Sequence, residues 1–179
     1  ALATGADVII TGRVADPSLV LAPLVHAFGW RLDDWPRLGR GTVIGHLLEC
    51  AGQVTGGYFA DPGVKDVPDL AHLGFPFCDV DADGNGVLGK VAGTGGLITL
   101  RTVKEQLLYE VTDPTGYVTP DVVADFSGVR VREAGPDREQ GERESLDEDE
   151  QDDPPRRQPE RAKDGDLALA LGHRERQQG

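Results

Sequence analysis

The apolar positions of the chain fall into short runs and helical repeats, separated by glycine and proline. Residues 6–10 (ADVII) form a continuous apolar run that ends at Thr11, Gly12 and Arg13, the pattern of a short buried strand. Next, Leu21, Leu24, Val25 and Phe28 recur at helical spacing, with Asp16 suited to cap the helix, Pro17 to begin it and Gly29 to close it. A second helix is predicted from residue 42 to about residue 53, and a third over 103–111 with Thr102 and Glu105 as a capping box. The segment before Asp83 and residues 87–90 read as two arms of a hairpin turning through Asp83, Gly84, Asn85 and Gly86. Residues 122–126 and 129–131 are strand-like, and residues 1–4 read as a helix end closed by Gly5.

A strand, a turn and a helix packed back on the strand make up the repeating unit of parallel α/β folds. The expected class is therefore α/β, a partial, mostly parallel sheet with packed helices. In such sheets ligands sit at the carboxyl ends of strands, the place occupied here by residues 11–16. The pattern stops near residue 133. The chain divides into an α/β domain over 1–133 and a charged tail over 134–179, where hydrophobic residues nearly vanish. The acidic stretch 146–153 cannot bury enough surface to offset its ordering entropy, so disorder is expected there. Only residues 167–171 (LALAL) read as a short, weak helix.

Charge and composition narrow the partners. A formal net charge of −13 argues against nucleic acid and against an anionic membrane surface. No apolar run approaches a bilayer span and no signal-peptide pattern is present. The two cysteines, Cys50 and Cys78, stand in different contexts, which favours free thiols in a reducing cytoplasm over a disulfide scaffold. The chain starts at Ala1 and contains no methionine, so it reads as a cut inside a longer protein.

Four places could carry chemistry. His46, Glu49, Cys50 and Gln53 align at helical spacing into one polar stripe, opposite Val43, Leu47, Ala51 and Val54. His46 and Glu49 could act as an acid–base pair; the plainer alternative is a polar helix edge facing solvent or a cleft. Gly93, Thr94, Gly95 and Gly96 could cradle a phosphate or carboxylate with backbone amides, or simply form a turn; no P-loop lysine follows. Arg13 could grip an anionic group in a bidentate contact, or pair with Asp16, which would then serve only as a cap. Asp125 and Ser127 could place a carboxylate and a hydroxyl at a strand end, although a turn explains them better. Asp79, Asp81 and Asp83 imitate the start of an EF-hand loop, but its twelfth position is Lys90 rather than Glu. The sequence calls for no metal and no cofactor.

Five segments in order carry a family resemblance: residues 6–16 (ADVIITGRVAD), 45–50 (GHLLEC) with 55–57 (TGG), 93–97 (GTGGL), 105–110 (EQLLYE) and 120–129 (PDVVADFSGV). Over roughly residues 1–138 the chain resembles the acyclic terpene utilisation (AtuA) family. The resemblance implies the later part of that family's main α/β domain, with its opening strands absent, in a bacterial setting. It also implies a place in the catabolism of citronellol- and geraniol-type terpenes, which proceeds through coenzyme A thioesters. The sequence leaves the family pattern after Asp137 and Arg138, where a reading-frame error in a GC-rich gene would account for the charged tail. Three readings stay open. One is an enzyme acting on branched terpenoid acyl-CoA through His46 and Glu49, with Arg13, Asp16 and the Gly93, Thr94, Gly95 and Gly96 loop holding the ligand. The others are a non-catalytic assembly partner of a pathway carboxylase, possible as an oligomer, and an inactive gene fragment.

Overall fold

The computed structural model describes residues 1–134 and the backbone of residues 168–171. A short helical turn, Leu2–Thr4, ends at Gly5, whose φ of 70° supplies the left-handed closure read from the sequence. Helix α1 (Ser18–Phe28) ends at Gly29 in the same way, with φ of 63° and its amide donating to the Val25 carbonyl. No side chain caps its start, so Asp16 does not serve as its hydrogen-bonding cap. Helix α2 (Trp35–Leu48) begins and ends earlier than periodicity predicts. Asp34 accepts the Arg37 amide and Pro36 lies in the first turn, which places the start seven residues ahead of residue 42.

Helix α2 is the centre of the molecule. Residues 41–47 are all buried, because α1, α3 (Leu100–Leu108) and the strands close around it. Two glycines let α1 come close. A Cβ on Gly41 would lie 2.6 Å from Leu21, and one on Gly45 would lie 2.5 Å from the Pro17 carbonyl oxygen. The main core joins Val43, Ile44 and Leu47 of α2 to Val54, Leu88, Val103, Ala124 and Phe126. A smaller cluster of Leu21, Trp30 and Leu38 seals α1 against the start of α2.

The capping box of α3 is real but lies three residues upstream of the expected one. Thr99 Oγ1 accepts the Thr102 amide at 3.2 Å while Thr102 Oγ1 accepts the Thr99 amide at 3.0 Å. Threonine at the third helical position does the work expected of Glu105, which instead faces Lys65 at 3.4 Å.

Strands β1 (Pro76–Val80) and β2 (Gly86–Lys90) form the expected hairpin, in register from Pro76 opposite Lys90 to Val80 opposite Gly86. Strands β3 (Tyr117–Val118) and β4 (Val123–Ala124) make a second, smaller hairpin. Strand β5 (Arg130–Glu133) follows. The composition is mixed α/β as expected, but the sheet of the body is antiparallel, not mostly parallel. Short turns join its neighbours, and a short turn permits only antiparallel pairing. Among the described residues, parallel ladders occur only where β6 (Ala168–Leu171) lies between β2 and β5. That segment is a strand, not the short helix expected of it; its Leu–Ala alternation has the period of two that a strand needs. The rest of the expected tail, and its origin in a reading-frame error, lies outside the described residues.

Residues 6–10 are the clearest departure. They form no strand, and Val8 and Ile10 are 75% and 92% exposed. A buried strand needs neighbours to take its amides and carbonyls, and among the described residues none pairs with this segment. No helix among the described residues is long and apolar enough to cross a membrane.

Candidate functional site

Of the polar stripe expected over 46–53, His46 lies within α2 and points inward, whereas the helix ends at Leu48 and Glu49, Cys50 and Gln53 follow it half-buried. His46 is 3% exposed and is braced to α3 by two reciprocal hydrogen bonds. Its Nε2 lies 2.9 Å from the Gln106 carbonyl oxygen, and Gln106 Nε2 donates to the His46 carbonyl at 3.0 Å. A carbonyl can only accept, so His46 Nε2 carries the hydrogen and Nδ1 is the basic nitrogen of the neutral ring. Tyr117 and Phe126 flank the imidazole, each with its ring centre 5.3 Å away, and stack on one another at 4.7 Å.

Carboxylates gather around this aromatic box. Burial holds the His46 pKa below its ordinary value of 6.5, against the opposing pull of the Gln106 carbonyl, Glu49 and Glu110. The Cys50 thiol lies 3.1 Å from Glu49 Oε1 and is pushed up to about 11, by burial first and then by Glu49. It is therefore a protonated thiol at neutral pH and a weak nucleophile. Burial also raises the Tyr117 phenol, with Glu49, Asp16 and Glu110 adding to the effect. Asp16 acts on Tyr117 from outside because Pro17 packs directly on Gly45, one residue before His46. Among the described residues Asp16, Glu49 and Glu110 form no ion pair.

The helix ends that carry this cluster are strained. Ala51 and Glu110 sit at φ of 49° and 57°, a region that costs a residue with a Cβ roughly 1–2 kcal/mol. Such strain collects at functional sites. Two buried amide atoms, Gln53 Nε2 and Gln106 Oε1, find no partner among the described residues.

The remaining candidates lie in other surroundings. Arg13 is exposed and, among the described residues, forms no ion pair; the alternative contact with Asp16 is not made. In the glycine loop, the Gly95 amide donates to the His72 carbonyl and the Gly96 amide to the Pro68 carbonyl, while Lys90 Nζ donates to the Thr94 carbonyl at 2.6 Å. Gly95 packs against the Asp69 backbone so closely that a Cβ has no room. The Gly93, Thr94, Gly95 and Gly96 loop thus clamps the segment around Asp69 and His72, with two of its amides committed there. Asp125 Oδ1 accepts from both the amide and the hydroxyl of Ser127, which is the expected turn. Asp81 is occupied by the amides of Asp83 and Asn85 and by the Asn85 side chain. Among the described residues no group of three or more metal-ligating side chains converges.

A separate cleft of about 220 Å³ opens beside the N-terminal half of α2, lined by Trp35, Gly39, Arg40 and Val43 and across from them by Val123, Asp125 and Val129.

The model of the acyclic terpene utilisation family protein AtuA matches residues 1–140, which include the whole cluster and both walls of the cleft. The chain belongs to the AtuA family. No curated protein and no solved structure matches it. Within this AtuA-family chain, sequence spacing identifies His46, Glu49 and Cys50 as a group, and Asp16 lies exposed outside it, acting electrostatically on Tyr117. Spacing misses Gln106, Glu110 and Tyr117 as partners. Gln106 and Glu110 lie in the EQLLYE segment that marks the family, so that segment was the available signal for two of the three.

Proposed function

We propose that this AtuA-family chain acts in acyclic terpene catabolism by acid–base chemistry on branched terpenoid acyl-CoA intermediates. His46 serves as base, and Glu49 supports the charge it gains. The observation that carries this reading is the neutral imidazole, tied at Nε2 and basic at Nδ1, set among Glu49, Glu110 and Tyr117. A thioester acidifies the carbon–hydrogen bond beside its carbonyl. An imidazole that burial keeps neutral can take that proton at Nδ1, and the resulting imidazolium is stabilised by the two glutamates. Arg13, an exposed guanidinium, is the candidate for the anionic end of the thioester. Two free thiols, Cys50 and Cys78, the latter pushed up to about 12 by burial and Asp79, support a reducing, cytoplasmic setting.

The exposure of Val8 and Ile10 favours a second reading, a non-catalytic assembly partner of a pathway carboxylase.

Thermal unfolding of the chain with citronellyl-CoA and with free coenzyme A separates the two, since a ligand of the native state raises the midpoint by mass action. The enzyme reading expects a larger rise with the thioester, followed by turnover that His46→Gln abolishes while the ligand-free variant still unfolds in one cooperative transition at pH 7.5. A thioester shift no larger than that of coenzyme A, together with capture of a carboxylase subunit that survives His46→Gln, transfers the assignment to the assembly partner.

A further inference from the structure

We propose that Gln106 is a positioning residue for His46: its side-chain oxygen is a second acceptor for the Cys50 thiol hydrogen, and by taking it frees Glu49 to face the imidazolium. The proposal rests on the reading of His46 as the base, and its test uses titration rather than turnover, so the two can fail separately.

The first observation is where Gln106 stands. It is 1% exposed on α3, and its Nε2 donates to the His46 carbonyl at 3.0 Å. Helix α2 stops at Leu48, so the His46 carbonyl belongs to the last turn, where carbonyls lack a partner further along the helix. Had the helix run on, the Cys50 amide, four residues ahead, would be that partner. The Gln106 amide takes its place, which seats it beside Cys50. The Cys50 thiol responds: burial and Glu49 raise its pKa, and the Gln106 side chain draws it back. The second observation is the other end of the same amide. Gln106 Oε1 is buried and, among the described residues, accepts nothing. A buried acceptor without a donor is costly, and the brace to His46 uses only the nitrogen.

Electrostatics supplies a use for that oxygen. Glu49 and Glu110 are the carboxylates that act on the imidazole, and Tyr117 on β3, with Asp16 ahead of α1 acting on it, completes the titratable surroundings together with Cys50. While His46 is neutral, Glu49 Oε1 accepts the Cys50 hydrogen at 3.1 Å. When Nδ1 takes a proton, the charged ring competes with the thiol for Glu49. A vacant carbonyl oxygen on the neighbouring amide lets the thiol turn away without losing a hydrogen bond. Rotation about the Cβ–Sγ bond moves the hydrogen from one acceptor to the other, and the proton stays on sulfur throughout.

The His46 ring signal in proton NMR spectra of the whole chain, assigned by its loss in His46→Gln, reports the pKa directly. Gln106→Leu keeps most of the bulk but has no acceptor, so the thiol stays on Glu49. The His46 pKa is then expected to fall by about half a pH unit or more. A merely structural loss of the brace would admit water and move the pKa the other way, up toward 6.5. Cys50→Ala removes the competitor for Glu49 and is expected to raise the His46 pKa, and Gln106→Leu added to it is expected to lower nothing. A pKa that rises or stays in Gln106→Leu, that fails to rise in Cys50→Ala, or that falls equally in both backgrounds overturns the proposal. Cys50→Ala decides alone if Gln106→Leu does not fold. The coupling found in a chain without turnover would remove the catalytic reading and leave this one standing.

Discussion

His46 gives up its contact with water for one hydrogen bond and two aromatic faces, and this has a consequence in pH. The folded state holds its pKa below 6.5, so as the pH falls through that value the unfolded chain takes up a proton that the folded chain resists. Stability then declines with falling pH. The contribution is complete above the ordinary histidine range and is lost below it. The unfolding midpoint is expected to drop between pH 7.5 and 5.5, and His46→Gln, which cannot titrate, is expected to flatten that part of the profile. An equal slope in the two proteins would show that His46 does not resist protonation. At neutral pH the same burial keeps the imidazole in the form able to accept a proton, so one physical cause underlies both the stability profile and the proposed chemistry.

Between elements, the decisive contacts are made where side chains are missing. Gly45 brings the turn before α1 onto α2, and with it Asp16 close enough to act electrostatically on Tyr117. Gly45→Ala places a methyl 2.5 Å from the Pro17 carbonyl, a contact with rigid backbone that cannot give way. Overpacking of this kind costs about 1–3 kcal/mol. Gly39→Ala meets open space on the same helix and gains about 1 kcal/mol from helix propensity. Urea unfolding of this pair is expected to move the midpoint in opposite directions. Similar losses in both would mean that α1 does not rest on Gly45. The brace between His46 and Gln106 joins α2 to α3 across 60 positions of sequence, and the stacked Tyr117 and Phe126 close the third side.

For the molecule as a whole, the segment 6–10 sets the surface behaviour. Val8 and Ile10 lie open on a stretch with strand propensity and, among the described residues, no strand beside it, which is a template for pairing between chains. Ile10→Lys is expected to lower dye binding to exposed apolar surface and to reduce light scattering during heating, with little change in the unfolding midpoint. Unchanged scattering would place the sticky surface elsewhere. The net charge of −13 works in the other direction, keeping chains apart at low salt.

Local chemistry is what residue order conveys here. Glycine after an apolar repeat ends helices at Gly5 and Gly29 because left-handed backbone is open to it, and Asp–Gly–Asn turns a hairpin because those residues tolerate the bend. Helical spacing groups His46 with Glu49 and Cys50 for a similarly local reason. Spacing fixes relative angles and nothing more, so it could not say that His46 faces inward or that the helix stops at Leu48. The inward face follows from α1, α3 and the strands closing around α2 and burying more than one of its sides. Nor could it supply Gln106, Glu110 or Tyr117, which reach His46 only because distant elements pack there. The direction of the sheet and the fate of residues 6–10 belong to the same class. A run of Val and Ile is prepared to be a strand, but a strand exists only as a hydrogen-bonded pair, and the partner is a property of the assembled fold.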